Sequence, residues 1–231
     1  MKKRILSLIL ALSMVLSVLP LGAFAADPPE LVMKDGLPDC SNGTSGNGWD
    51  YDSSTDTLTL NYGAFDFSST HPQNKTGTQP APAVKCAIES GATISGGTFA
   101  GSVTNNDTIE KGTFEGKVTN NSTISGGTFQ NTGSVTNGNG AAIGGGTFNG
   151  TVINNAGGEI ADGTFAGSGS VENNTNGTIY NGNFNGTVTN NGTIKNGAFA
   201  SDKKVENKGT IENGKFTGTV TNSGTIKDGT F

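Results

Sequence analysis

The sequence predicts an all-β fold: a parallel β-helix, or β-solenoid, of about nine short repeats behind an N-terminal β-hairpin cap, and three observations carry that prediction. The first is a pattern that recurs from Gly91 onward, T-I-x-x-G-x-F followed by x-G-x-V-x-N-N, with Thr108 to Asn121 a clean copy. The second is its short period. The repeat phenylalanines are Phe99, Phe114, Phe129, Phe148, Phe165, Phe184, Phe199, Phe216 and Phe231, spaced 15, 15, 19, 17, 19, 15, 17 and 15 residues apart. Self-similarity at such a period marks a stacked-coil architecture.

The third observation is that insertions come in pairs. Isoleucine to phenylalanine is always five residues, phenylalanine to valine four or six, and valine to the next isoleucine six or eight. Strand residues alternate faces, so a single inserted residue would turn every following apolar side chain outward, whereas a pair preserves facing. Disordered sequence has no reason to keep this rule.

Within a copy, Gly112, Phe114, Gly116 and Val118 share one parity and are expected to point inward, with Thr113, Glu115 and Lys117 facing solvent. The small-large-small order lets a ring fit between glycines of a neighbouring strand. Burying a phenylalanine contributes about 1.5–3 kcal/mol, so a column of them offsets a substantial part of the chain entropy. The odd step from Ile109 to Phe114 demands a corner or bulge near Glu110-Lys111-Gly112. Asn-Asn pairs such as Asn105-Asn106, Asn154-Asn155 and Asn190-Asn191 fall at the other boundary. Asparagine tolerates the left-handed backbone of tight corners, and stacked copies can form amide ladders. From Phe114 the phenylalanine-to-valine step alternates 4, 6, 4, 6, 4, 6, 4, which favours a coil built from two repeats.

The chain divides into three segments. Residues 1–25 have the layout of a secretory signal peptide: basic Lys2, Lys3 and Arg4, an apolar run from Ile5 to Leu19, and Ala23-Phe24-Ala25 as a small-x-small cleavage site. Residues 26–90 form the cap. Trp49 to Leu60 reads as a hairpin around a Ser/Thr/Asp turn, and Ser69 to Ala83 as a proline-rich surface loop. Residues 91–231 carry the repeats. The stop at Phe231, a core residue, leads us to expect either a fragment of a longer protein or an open end that self-associates end to end.

Composition narrows the function. Of 231 residues 37 are glycine and 14% are charged, against about 7% and 25% in ordinary domains. Net charge is −5, and three of the positive charges lie in the signal segment, leaving about −8 and no arginine beyond it. Such a chain is a poor ligand for nucleic acid or anionic membranes. Cys40 and Cys86, an isolated pair in an exported chain, are expected to form one disulfide, adding about 4 kcal/mol in the chain-entropy picture. His71 is the only histidine and lies in the proline-rich loop, so no Ser-His-Asp or Cys-His relay is expected, nor any catalytic activity, metal or cofactor. Trp49, Tyr51 and Tyr62 are candidate sugar-stacking aromatics, with cap packing the plainer reading.

G-W-D-Y-D-S-S-T-D-T-L-T-L at 48–60 and A-I-E-S-G-A-T-I-S-G-G-T-F at 87–99 resemble secreted β-helix surface proteins of Firmicutes, some in a carbohydrate-binding family similar in fold to pectate lyases. The resemblance implies a right-handed parallel β-helix, cell-surface placement and a cell-surface or plant polysaccharide as partner. The acidic residues Glu110, Glu115, Glu159, Asp162, Glu206, Glu212 and Asp228 are scattered over repeat positions and form no calcium-carboxylate cluster. The expected function is therefore a secreted or cell-surface structural, adhesin-like module, with polysaccharide binding as the alternative.

Overall fold

Three short strands per repeat, each followed by a corner, wind the chain into a β-solenoid. The computed structural model describes residues 31, 33–34, 37–38, 45–46, 48–67, 84–130, 133–200 and 202–231, and the described residues contain strands and no helix. The signal segment 1–25, Cys40 and His71 lie outside them.

In the copy quoted above the strands are Thr108–Ile109, Thr113–Phe114 and Val118–Asn120. Each pairs in parallel with its counterpart one repeat later, Ile109 with Ile124, Phe114 with Phe129 and Val118 with Val135. Stacking thus builds three sheets, named here by their inward residue: the isoleucine, phenylalanine and valine sheets. The corner required by the odd step lies at residues 110–112, between the first two strands, so that Ile109 and Phe114 are both buried.

The coil holds one repeat, not two. The Phe114 and Phe129 rings stack directly, 5.1 Å between centroids and 14° between planes, and the same contact runs to Phe231. The alternating step lengths do not change the stacking, because the two extra residues leave the sheet as a turn: Gly133 N–H bonds Gln130 O at 3.1 Å and Gly169 N–H bonds Ala166 O at 3.0 Å. Val135 and Val171 return to register with their neighbours. The pairs inserted between valine and isoleucine are absorbed likewise, at turns whose left-handed residues are Gly140, Gly157 and Asn176 (φ 72°, 72° and 65°).

The interior consists of ladders. From Phe99 to Phe231 successive rings lie 4.7–5.2 Å apart. The glycine two residues before each ring leaves space for it: a Cβ on Gly197 would come within 2.7 Å of the Phe199 ring and 3.0 Å of Phe184. Asparagine forms the expected amide ladder but not the expected corners. The Asn-Asn pairs do not hold the left-handed corner positions, which fall instead at Asn176, Asn196 and Asn213. The asparagine two residues after each valine points inward, and where a pair is present it is the first of the two. Asn105, Asn120, Asn137, Asn154, Asn173, Asn190 and Asn207 are fully buried, and each Nδ2 donates to the Oδ1 of the next at 2.7–2.8 Å. Each Nδ2 also reaches carbonyl oxygens at the corner, as Asn154 does to Gly158 at 3.0 Å. Hydrogen bonds made in this way offset the desolvation cost of the buried amides and favour one register of the coils.

The hairpin pairs Trp49–Asp52 antiparallel with Thr57–Leu60, Trp49 opposite Leu60. Asp52 holds the turn, its carboxylate accepting from Ser54 N–H at 2.8 Å, Ser54 Oγ at 2.7 Å and Thr55 Oγ1 at 2.9 Å. Thr57–Leu60 then pairs in parallel with Lys85–Ile88, and Gly63–Phe67 with Ala92–Phe99. Parallel stacking therefore begins within the hairpin at Thr57, and the antiparallel strand Trp49–Asp52 covers the edge of the valine sheet.

Candidate functional site

The inward positions are occupied by the packing ladders, so recognition chemistry has to come from outward residues. On the isoleucine sheet these flank each isoleucine. The position before it reads Thr123, Ala142, Glu159, Thr178 in successive coils, held in one column by strand pairing. The position after it reads Ser125, Gly144, Ala161, Tyr180, held by ladder bonds such as Ala161 N–H to Ile143 O at 2.8 Å and Tyr180 N–H to Ile160 O at 2.9 Å.

Where Ala142, Gly144 and Ala161 replace larger side chains, the face sinks into a shallow notch of about 240 Å³. Thr123 and Ser125 bound it on the N-terminal side, Glu159 and Tyr180 on the C-terminal side. Tyr180 Oη donates to Glu159 Oε1 at 3.4 Å, which keeps the carboxylate beside the ring. Lys195 Nζ, one coil further on, lies 5.4 Å from the ring centroid and is not among the residues lining the notch. Asp162 sits at the adjacent corner, where its Oδ1 accepts from Gly163 N–H at 2.7 Å. Among the described residues neither Glu159 nor Asp162 takes part in an ion pair. A second hollow of about 230 Å³ lies over Ala198 and Ala200 on the phenylalanine sheet, between Asn183 and Asn185 on one side and Lys215 and Thr217 on the other. It has no outward aromatic ring.

The residues singled out from the sequence are placed as follows. Trp49 is 2% exposed and belongs to the core cluster, and Tyr51 is half-buried with its hydroxyl donating to Asp56 Oδ1 at 2.8 Å. Tyr62 is 55% exposed. Sugar stacking needs an open ring face, and the Trp49 ring offers none. Cys86 is buried and has no disulfide partner among the described residues, and burial pushes the pKa of its thiol up to about 12. Its expected partner Cys40 lies outside the described residues. Among the described residues no group of three or more His, Cys, Asp or Glu side chains could hold a metal ion.

Other perturbed acids have structural causes. Asp107 is held below the usual carboxylate range by the Gly91 N–H and then by Thr108, and Glu206 by Lys208 and then Lys204. Asp107 ties the Gly91 corner to the following coil, whereas Glu206 pairs with lysines beside it on its own coil.

No family profile, curated protein or solved structure matches the chain.

The notch is the feature that sequence reasoning missed. Its signal was present: Tyr180 is one of three tyrosines and the only one in the repeats, and it follows the smallest outward residues of its column.

Proposed function

We propose that the chain is a structural, adhesin-like module of a secreted or cell-surface protein, a non-catalytic rod that sets length and displays its faces. The observation that carries this reading is the uninterrupted register of four inward ladders. Isoleucine, phenylalanine, valine and buried asparagine occupy the same four inward positions in successive coils from Val103 to Phe216. A fold that repeats one packing solution coil after coil is quasi-one-dimensional, each coil resting on its neighbours, and suits an extended spacer. The outward residues vary from coil to coil, as Glu115, Gln130, Asn149 and Ala166 do at equivalent positions after the phenylalanine. The signal-peptide layout of residues 1–25 supports export.

The test has two parts. Limited proteolysis of the purified protein is expected to spare the repeats and cut first before residue 91, and early cleavage inside the strands would count against a rod. Antibody labelling of intact, unpermeabilised cells is expected to be positive, and labelling only after lysis would remove the surface assignment.

A further inference from the structure

We propose that the notch on the isoleucine sheet binds a primary ammonium group carried on a compact body, the chemistry shared by an amino sugar and a lysine side chain. This goes beyond the rod reading and does not depend on it. A carboxylate and an aromatic ring meet at one wall, Glu159 and Tyr180, joined by the 3.4 Å contact of Oη with Oε1. A cation beside both gains a charge-assisted hydrogen bond from the carboxylate and attraction from the ring quadrupole. Neither acid of the neighbourhood, Glu159 or Asp162, has an ion pair among the described residues, so an incoming ammonium displaces no lysine from them. Lys195 Nζ already lies over the Tyr180 ring, 5.4 Å from its centroid, but from the following coil and outside the notch.

The body of the ligand is set by the floor. Ala142, Gly144 and Ala161 offer a small apolar surface, and Thr123 and Ser125 place hydroxyls on the opposite rim. A volume of about 240 Å³, open to solvent, admits one ring-sized or chain-like group. A neutral ligand gains neither the charge-assisted hydrogen bond nor the cation–π attraction, so discrimination rests on charge. An open site with one carboxylate and one ring supports a dissociation constant on the order of millimolar.

The test titrates the full chain with glucosamine and with n-butylammonium, using glucose and N-acetylglucosamine as neutral counterparts, and follows shifts of the Tyr180 and Ala161 resonances by NMR. Saturable binding of both cations, with the neutral sugars at least about tenfold weaker, is expected. Binding of glucosamine alone supports the proposal with an amino sugar as source, and binding of n-butylammonium alone supports it with a lysine-like source. Glu159→Gln and Tyr180→Leu are each expected to weaken binding about tenfold, while Tyr180→Phe, which keeps the ring, stays within about threefold. Ala142→Leu, which fills the notch, is expected to abolish binding. All four lie on the outer face, and an unchanged circular dichroism spectrum establishes that they fold. Neutral sugars binding as tightly as glucosamine, an unaffected Glu159→Gln protein, or no saturable binding of either cation would overturn the proposal.

Discussion

At the residue scale, what an inward position tolerates follows from what its neighbours leave open. Gly197 has an ordinary backbone, yet a methyl group there would collide with the Phe199 and Phe184 rings at 2.7 and 3.0 Å. Both rings are locked by stacking at 4.8 Å and 4.7 Å on their neighbours, so they cannot move aside singly. Gly197→Ala is therefore expected to destabilise by about 1–3 kcal/mol, measured by urea unfolding. Gly140 is the opposite case. It has nothing within 4 Å of a would-be Cβ but sits at φ 72°, where the equivalent corner residue of a later coil is Asn176, so the constraint there is backbone conformation rather than space. The buried amides supply the second prediction. Asn154 Nδ2 faces three acceptors, Asn173 Oδ1 at 2.8 Å, Gly158 O at 3.0 Å and Thr178 O at 3.4 Å. Asn154→Asp would aim a carboxylate oxygen at all three, which raises its pKa in the folded state. Above that raised value the full penalty applies, at least about 1–3 kcal/mol. As pH falls through it toward the unfolded value of about 3.9, the protonated acid regains a donor and the penalty shrinks. Urea midpoints for variant and parent protein are expected to lie closer together at about pH 4 than at pH 7.

At the element scale, the spacing rule that foretold the strands also limits what can be inserted between them. Phe148 and Val152 are joined by the short connection, Phe165 and Val171 by the long one, and both valines pair in the same column. Two residues added after Asn149 should leave as a turn like that of Ala166 and Gly169, costing less than about 1 kcal/mol of loop entropy. One added residue would reverse the facing of Val152 or force a bulge, exposing apolar surface worth about 1.5–3 kcal/mol for each large side chain turned out. Thermal midpoints of the two insertion variants are expected to differ accordingly. The same elements show why some features were legible and others not. Facing is a parity property and can be counted along the chain, so the strands, the corner near Gly112 and the inward phenylalanines were readable. The coil size was misread because a repeating difference in connection length looks like a larger period, although the extra residues never enter the sheets. The role of asparagine was half readable: a stack was foreseeable, but which of two adjacent amides turns inward depends on a corner only the fold provides. Tyr180 stood out along the chain, but the notch as a site depends on the smallness of Ala142, Gly144 and Ala161 in earlier coils, which only stacking brings beside Glu159 and Tyr180.

At the scale of the whole molecule, a solenoid has two ends, and the N-terminal one is closed by antiparallel strands, Ser45–Gly46 on Trp49–Asp52 and Trp49–Asp52 on Thr57–Leu60. Trp49, opposite Leu60 in that pairing, is 2% exposed and buries against the first coil with Leu58 and Leu60. Removing the ring should cost about 3–5 kcal/mol, as for other buried aromatics cut to alanine. In a quasi-one-dimensional stack that loss is felt first by the adjacent coils and fades with distance along the axis. Cys86 is placed to report it. Its strand, Lys85–Ile88, pairs directly with the hairpin strand Thr57–Leu60, and burial holds the thiol at a pKa of about 12. The thiolate is the reactive form, so at neutral pH alkylation of the folded protein requires the first coil to open. In protein kept reduced, Trp49→Ala is expected to raise the alkylation rate of Cys86 by at least about tenfold, since each 1.4 kcal/mol lost from the opening free energy gives that factor. Hydrogen exchange in Lys204–Asn207, far along the valine sheet, should change much less. Equal acceleration at both places would mean that the chain opens only as a whole, and that its coils are not the independent units their stacking implies.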